Sequence, residues 1–272
     1  MFSITSINMA IWHLNCLYAG MQHTLIRFPK VLAALVLFAL LIPTNAPAEN
    51  LSTLSPASSE GLAFARYLAS LQERNPFTEA GPVAVAIEAS LPGLYKQTNF
   101  LAIRLTGESE HSEYHVLQIE GDSIVAQEVI ARYLEVQEQV EELPLSSVAI
   151  TPANYKFHYK GQVGTGGALA YVYQIIPKKK RDGLIQGQLW IDSATGLAVL
   201  QEGRLVKTPP PFTGQIQLVR DTQLQDGSPA MRVTHVTIET PRAGRGELTI
   251  TEMPLPVEDE KPEPKFGRIA QN

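Results

Sequence analysis

The stretch 171–205 constrains the fold most, because it holds three strand-like segments joined by two short turns. The segments cover 171–177, 184–192 and 197–205, and aromatic, aliphatic and β-branched residues dominate them. Both turns end in glycine, which tolerates the positive φ that tight turns need. Consecutive strands with short connections pair antiparallel. The stretch therefore predicts a β-meander inside a large antiparallel sheet.

The segment 21–48 has the three parts of a secretory signal. Arg27 and Lys30 precede an uninterrupted apolar run, 31–42, and an A-x-A pattern then ends at Ala48. The apolar run is shorter than the roughly 20 residues that a membrane span needs. We therefore predict cleavage after Ala48 and a periplasmic protein, with an uncleaved anchor as the alternative.

Residues 1–20 carry almost no charge and are unlike the start of a signal segment. We interpret them as an over-extended start and Met21 as the true one. The only cysteine, Cys16, falls in this stretch. A chain that begins after Ala48 therefore has no disulfide, no thiolate nucleophile and no cysteine-ligated metal.

Charge and length restrict the function further. The net charge is −5 and no long basic stripe is present, so a nucleic-acid partner is not expected. Residues 49–253 are expected to form one domain, which we expect to be a monomer. The Pro- and charge-rich segment 254–272 predicts a disordered tail.

Two segments predict helices. Ser55 and Pro56 form a cap and first-turn pair, and apolar residues then recur at helical spacing as far as Leu71, which predicts a helix over 56–74. Asp122 can cap a second, longer amphipathic helix over 123–141, whose apolar side is built largely from valines.

Alternating apolar residues predict the remaining strands. In one segment, 230–239, the apolar phase changes: Met231 and Val233 have one parity, Val236 and Ile238 the other. A bulge near Thr234 would produce that change. Six further strands are predicted. Three are marked by alternating residues: Val83, Val85 and Ile87; Leu101, Ile103 and Leu105; and Tyr155, Phe157 and Tyr159. The other three cover 114–120, 215–225 and 246–253.

These elements add up to a mainly β (α+β) fold. We predict a single large curved antiparallel sheet, a half-barrel of about ten strands, covered by the two helices. Ile185, Leu189 and Ile191 share one face of their strand, and we expect Leu197 and Val199 to continue it.

A family resemblance rests on Tyr173 with Pro177, on the run LWIDSATGL at 189–197, and on Leu200 with Arg204. Over roughly 171–252 the chain resembles the periplasmic lipoprotein-carrier family (LolA-like) and the related RseB/MucB-like envelope-stress sensors. The resemblance implies a half-barrel whose concave face, lidded by helices, holds an acyl chain or another apolar ligand. The apolar face supplies the candidate ligand-binding residues Val85, Ile87, Ile185, Leu189, Ile191, Leu197 and Val199.

The same LWIDSATGL run also has an explanation in local turn chemistry. Asp192 can accept backbone N–H groups inside the turn, and Gly196 can supply its left-handed residue. Both interpretations stay open at this point.

Catalytic and metal motifs are weak. His111, Glu113 and His115 would share a face on a strand, but a polar turn before an edge strand explains them better than a metal site. The glycines at 164–167 lack the capped helix of a phosphate loop. No G-x-S-x-G is present. We expect no cofactor, no metal and no enzymatic activity; a hydrolase with an unrecognised carboxylate pair is the remaining catalytic alternative.

Two surface features have alternative functions. Lys178, Lys179, Lys180 and Arg181 form a basic hairpin tip. Such a tip is typical of a solvated turn, and contact with anionic headgroups or an acidic partner is its functional alternative. Trp190 has the parity opposite to the apolar face, so it packs under a helix or loop or belongs to a contact patch.

The leading hypothesis is an exported cell-envelope protein that binds a lipid, acyl chain or lipoprotein between sheet and helices. The alternative is a non-enzymatic envelope sensor or structural protein that docks a membrane-associated partner with the same scaffold.

Overall fold

The computed structural model describes residues 58–72, 77, 81–106, 112–164 and 169–256. The predicted start and signal segments, 1–20 and 21–48, lie outside the described residues, as does 257–272 of the predicted tail. The beginning of that tail is ordered: the last strand includes Pro254, and the Leu255 N–H donates to the Pro82 carbonyl at 2.8 Å.

All the described strands belong to a single antiparallel sheet of ten strands, in the order β3-β2-β1-β10-β9-β8-β7-β6-β5-β4. The sheet is curved and unclosed, with β3 and β4 as its edges, so the predicted half-barrel is confirmed. The strands are β1 (Val83–Leu91), β2 (Lys96–Thr106), β3 (Ser112–Gly121), β4 (Tyr155–Val163), β5 (Ala170–Pro177), β6 (Ile185–Asp192), β7 (Ala198–Leu205), β8 (Thr213–Gln225), β9 (Ser228–Thr240) and β10 (Gly244–Pro254).

The first helix, α1, covers Ser59–Ser70. Ser58 caps it, because its side chain accepts the Gly61 N–H at 3.3 Å. The predicted cap at Ser55 is therefore wrong: a serine three positions later fills the same role.

The second predicted helix is confirmed over its whole length and has three consecutive parts. These are α2 (Ser123–Val125), a π-helical turn (Ala126–Ala131) and α3 (Arg132–Glu141), together called the long helix. Asp122 caps it as predicted, accepting the Ile124 N–H at 2.8 Å. A short helix, α4 (Leu145–Val148), follows. Among the described residues, no helix has the length and apolar character to cross a membrane.

Both helices lie on one face of the sheet. The strand registers place one residue from each of six strands in a continuous row on that face, ending with Tyr173 in β5 beneath α1 and Ile250 in β10 beneath the long helix. We call this the inner face. The row consists of Ile250, Thr234, Arg220, Gln201, Leu189 and Tyr173.

Aromatic rings fill the space beneath α1. The Phe64 ring lies 4.9 Å from the Phe157 ring, in edge-on contact, and 5.2 Å from the Tyr173 ring. The Tyr173 hydroxyl donates to the Glu60 carbonyl at 3.1 Å, and the Tyr67 hydroxyl to the Ile150 carbonyl at 2.9 Å. Of the aromatic residues of β4, Tyr155 is 2% exposed and Phe157 contacts Phe64, whereas Tyr159 is 42% exposed.

Apolar side chains fill the space beneath the first part of the long helix. Val125, Val129 and Ile130 are at most 3% exposed and pack on the inner faces of β1, β2 and β10. Their sheet partners include Val85, Ile87, Phe100, Ala102, Leu248 and Ile250.

Two strands differ from the sequence expectation. In β2 the buried residues are Thr98, Phe100, Ala102 and Arg104, and the predicted Leu101, Ile103 and Leu105 are only half-buried. In β9 the predicted bulge is wrong, since neither neighbour changes register at Thr234. The apolar phase changes there because Arg232 and Thr234 occupy inner-face positions themselves.

Candidate binding site beneath the long helix

Charged residues interrupt the apolar inner face where β2, β10, β9 and β8 pass beneath α3. Arg104, Glu252, Arg232 and Arg220 come from these four strands and are called the arginine cluster. The β9–β10 register sets Arg232 opposite Glu252, and the β8–β9 register sets Arg220 opposite Thr234. Three adjacent strands, β10, β9 and β8, therefore hold Glu252, Arg232 and Arg220 together, and Arg104 reaches Glu252 from β2, on the other side of β1.

Glu252 is the negative centre of the cluster and is only 6% exposed. Its Oε1 accepts Arg104 Nη1–H at 2.8 Å, and its Oε2 accepts Arg232 Nε–H at 2.6 Å. Burial alone would raise the pKa of Glu252, but the charge and hydrogen bond of Arg232 and the charge of Arg104 outweigh burial and lower that pKa to about 2. The carboxylate is therefore ionised at neutral pH.

Arg104 is 4% exposed and is held from two directions. Besides its bond to Glu252, its Nη2 donates to the Phe77 carbonyl. Its Nε is buried without a hydrogen-bond partner, the one such side-chain atom within the described residues. A buried N–H without an acceptor is costly, so this atom marks a place where an acceptor would be favourable.

Arg220 is bound more weakly than the other two arginines. Its Nε lies 3.4 Å from Thr234 Oγ1 and its Nη1 lies 3.4 Å from Gln201 Oε1, both neutral acceptors. Burial and the like charge of Arg232 lower the pKa of Arg220, although a guanidinium stays charged. Arg232, in contrast, also places its guanidinium 4.4 Å from the centre of the Phe77 ring.

The long helix covers the cluster with Tyr133, Leu134 and Gln137. A cavity of about 20 Å³ remains between α3 and the sheet. A void of this size holds one water molecule and no acyl chain. Burial raises the pKa of Tyr133 to about 12, so its hydroxyl is a neutral donor and acceptor near the cluster.

The predicted ligand-binding residues divide into two groups. Val85 and Ile87 line the cavity, and Ile185 belongs to the same apolar core. Leu189 and Ile191 are also buried on the inner face, but farther along it, towards α1. The structure does not bring all of these residues to one pocket.

Leu197 and Val199 do not continue the inner face of β6 in the expected way. Leu197 precedes β7, and a register shift makes Ala198 the residue opposite Ile191. Trp190 pairs with Leu200 and Ile191 with Ala198, so Val199 lies between two partners that would be consecutive in a regular ladder, and it is the extra residue of a bulge.

The turn before β7 explains the LWIDSATGL run. Asp192 Oδ1 accepts the Thr195 N–H and the Thr195 hydroxyl, each at 2.7 Å. Gly196 has φ +77°, and a Cβ there would lie 2.3 Å from the Arg66 Cβ of α1. The run therefore builds the turn and also allows α1 to pack on it.

Two of the four residues of the basic tip make hydrogen bonds within the chain. Lys178 donates to the Pro152 carbonyl, and Arg181 donates to Asn154 Oδ1 at 2.8 Å, so both hold the loop before β4. Lys179 and Lys180 are exposed. Trp190 is half-buried on the face opposite the helices, paired with Val172 and Leu200.

The suspected metal residues lie at the edge of the sheet. His115 and Glu113 are exposed on β3, with their side chains 3.7 Å apart, and His111 lies outside the described residues. Across the described ranges, no three potential metal ligands come together.

Comparisons with known proteins give distant similarities to solved structures. No protein-family model and no curated protein matches the chain. A LolA superfamily protein from Nitrosomonas europaea is 13% identical, with 76% of this chain and 96% of that chain covered and a TM-score of 0.33. The Pseudomonas aeruginosa MucA/MucB complex gives 12% identity, coverages of 72% and 93%, and a TM-score of 0.22.

These matches come from the two groups that the sequence resembles, so that resemblance is confirmed. The identities are 12–13% and the TM-scores 0.22–0.33, so the chemistry of the site is inferred from the residues of this chain.

The arginine cluster is the feature that the sequence analysis missed. Its signal was the loss of apolar phase at Arg232 and Thr234, together with a charged residue, Arg104, in the middle of an apolar strand. A charge at an inner position of two separate strands indicates that the charges meet in the interior.

Proposed function

We propose that the chain is a non-enzymatic binding protein of the cell envelope that holds a hydrophobic ligand, an acyl chain or a lipoprotein, on the inner face of the sheet. The observation that carries this proposal is the unequal anchoring of the long helix above a water-sized, polar cavity. The helix would act as a lid, with α3 as its moving part.

The two ends of the long helix are held differently. Before α3, Val125, Val129 and Ile130 are buried in the apolar core, whereas Val136 is the single buried residue of the ten in α3. Val129 and Ile130 belong to the π-helical turn Ala126–Ala131, which directly precedes α3. Turns of this kind interrupt the regular ladder of hydrogen bonds and are frequent at functional sites.

Movement of α3 would expose an apolar surface that an acyl chain can cover. Val85, Ile87 and Ile250 lie under it on adjacent strands, next to the arginine cluster. An acyl chain that replaced α3 on this surface would gain about 0.8 kcal/mol for each buried CH₂ group. Burial of the acyl chain would therefore offset the free energy that is lost when α3 leaves the sheet.

Binding of an acyl chain can be tested directly. Native mass spectrometry of gently purified protein should show bound lipid, and a fluorescent fatty acid should bind with one site and be displaced by dodecanoate. Thr234→Phe fills the space under α3 and should reduce this binding, whereas Val219→Phe on the opposite face should not. Absence of both lipid and probe binding would end the proposal.

The envelope location depends on the predicted signal at 21–48. The exported protein should begin at Glu49 when its N-terminus is sequenced. A mature protein that begins upstream of Val31 would overturn that part of the proposal.

A second candidate function, docking of a partner protein, is favoured by the edge strand β3. Val116, Leu117 and Ile119 are 46–55% exposed, and Leu117 is the extra residue of a bulge against β2. An unpaired edge with apolar side chains can accept an extended segment of a partner. The exposed tip residues Lys179 and Lys180 would add attraction to an acidic partner.

A photo-reactive residue distinguishes this second function from the first. Placed at position 119 it should crosslink to one partner in living cells, and placed at the equally apolar position 219, inside the sheet, it should not. The crosslink should disappear when Val116 is changed to Lys. Crosslinks that are absent, or equal at the two positions, would exclude edge docking.

A further inference from the structure

We propose that the arginine cluster is an oxyanion site that binds a phosphate or carboxylate group, with Arg220 as its main ligand. This inference deepens the proposed function, on which it rests: the anionic group would belong to the molecule carried on the inner face. The observations that support the oxyanion site do not depend on the presence of an apolar groove.

Charge balance is the first observation. The residues that line the cavity include three guanidinium groups and one carboxylate, Glu252. Glu141 at the end of α3 also acts on Arg104 electrostatically, but it does not line the cavity. The lining therefore has two surplus positive charges, on side chains that are buried (Arg104) or half-buried (Arg220 and Arg232), and charges removed from water are normally paired.

Unequal pairing is the second observation. Glu252 uses its two oxygens on Arg104 and Arg232, so Arg220 is left with two contacts of 3.4 Å to neutral oxygens. The guanidinium fork of Arg220 matches the geometry of a carboxylate or phosphate. An oxyanion would supply the charged acceptor that these contacts lack.

A buried donor without an acceptor is the third observation. Arg104 Nε is buried without an acceptor and belongs to a residue that lines the same cavity. From above, Tyr133 and Gln137 add a hydroxyl and an amide. Donors from β2, β8, β9 and α3 thus surround one small space.

The donors on α3 connect anion binding to the lid. The cavity of about 20 Å³ is smaller than a phosphate group, so an oxyanion enters only when α3 moves outward. Once bound, it bridges the arginines of the sheet and the polar groups of α3. The anion therefore holds α3 in a position that leaves the apolar surface beside it accessible.

The test has two parts, of which the first uses inorganic phosphate. Thermal unfolding of the wild-type chain should shift upward with phosphate, by about 2 °C or more at saturation, relative to chloride at equal ionic strength. Arg220→Gln should abolish the shift, and Arg220→Lys, which keeps the charge without the fork, should reduce it. The control is Arg245→Gln, because the Arg245 side chain is 60% exposed and pairs with Glu247 away from the cluster. This variant should keep the full shift.

The second part uses amphiphiles of equal chain length below their micellar concentrations. Dodecyl phosphate should bind about tenfold more tightly than dodecyl maltoside, and dodecyltrimethylammonium should bind no better than the maltoside. Arg220→Gln should remove the preference for phosphate. Preference in the wild type shows that the anion belongs to a lipid-like ligand.

The outcomes separate the two proposals. A phosphate shift that is absent, or that Arg245→Gln removes as well, overturns the oxyanion site. Equal binding of all three amphiphiles without a phosphate shift overturns the oxyanion site but leaves the binding function intact. A phosphate shift that requires Arg220, without binding of any amphiphile, supports a site for a free anion and overturns the carrier function.

Discussion

Arg232 and Glu252 lie directly opposite each other in the β9–β10 register, and the Arg232 Nε–H donates to Glu252 Oε2 at 2.6 Å. The pair lies on the inner face of the sheet, where regular alternation would place apolar side chains. A buried ion pair of this kind adds little net stability compared with an apolar pair, and removal of one partner is costly. Stability alone therefore does not account for the presence of this buried pair.

Glu252→Gln should destabilise the chain strongly, because it leaves Arg104 and Arg232 buried without a carboxylate. We expect the free energy of unfolding to fall by about 3–5 kcal/mol in urea titrations. Glu247→Gln is the matched control on the same strand, since its ion pair with Arg245 is exposed, and it should cost less than about 1 kcal/mol. Equal losses in the two variants would contradict the assignment.

Acid should remove the contribution of Glu252 to stability. The folded pKa of about 2 is below the usual value of 4.5, so the folded state holds the carboxylate ionised more strongly than the unfolded state does. Its contribution is therefore complete above about pH 4.5 and is lost as the pH falls towards 2. The difference in free energy of unfolding between wild type and Glu252→Gln should shrink across that window. A difference that is constant from pH 6 to 3 would show that the pKa of Glu252 is not lowered.

The fold was predictable because its signals are local. Turn glycines and strand alternation around 171–205 gave the meander, and Asp122 with the valine stripe gave the long helix. The arginine cluster was not predictable from any one segment, because Arg104 and Glu252 are 148 residues apart and meet only through sheet pairing. The change of phase at Thr234 was visible in the sequence, but a bulge and a buried polar residue produce the same pattern.

Gly196→Ala should weaken the docking of α1 on the turn before β7. Gly196 (φ +77°) and Gly244 (φ +74°) have the same left-handed backbone, but a Cβ at 196 would lie 2.3 Å from Arg66 Cβ, whereas a Cβ at 244 meets nothing within 4 Å. Gly244→Ala measures the backbone cost alone, about 1–2 kcal/mol. Gly196→Ala should cost distinctly more in urea unfolding. Equal costs would mean that α1 does not pack closely on this turn.

Phe64→Ala should remove the main anchor of α1. The Phe64 side chain is 7% exposed and contacts the rings of Phe157 and Tyr173, so truncation should cost about 3–5 kcal/mol. Leu62→Ala, on the same helix but at a residue that is 50% exposed, should cost less than about 1 kcal/mol. The near-ultraviolet circular dichroism of the aromatic core should change in the first variant only. A small loss for Phe64→Ala would show that α1 contributes little to the folded state.

The most direct measurement of the lid is amide hydrogen exchange along the long helix, with and without dodecyl phosphate. In the free protein, amides of 132–141 should exchange faster than those of 124–131, because Val125, Val129 and Ile130 are buried in the core, whereas α3 has one buried residue, Val136. Ligand should change the exchange of 132–141 and leave α1 unchanged. Uniform exchange along the long helix, unaffected by ligand, would contradict binding beneath α3.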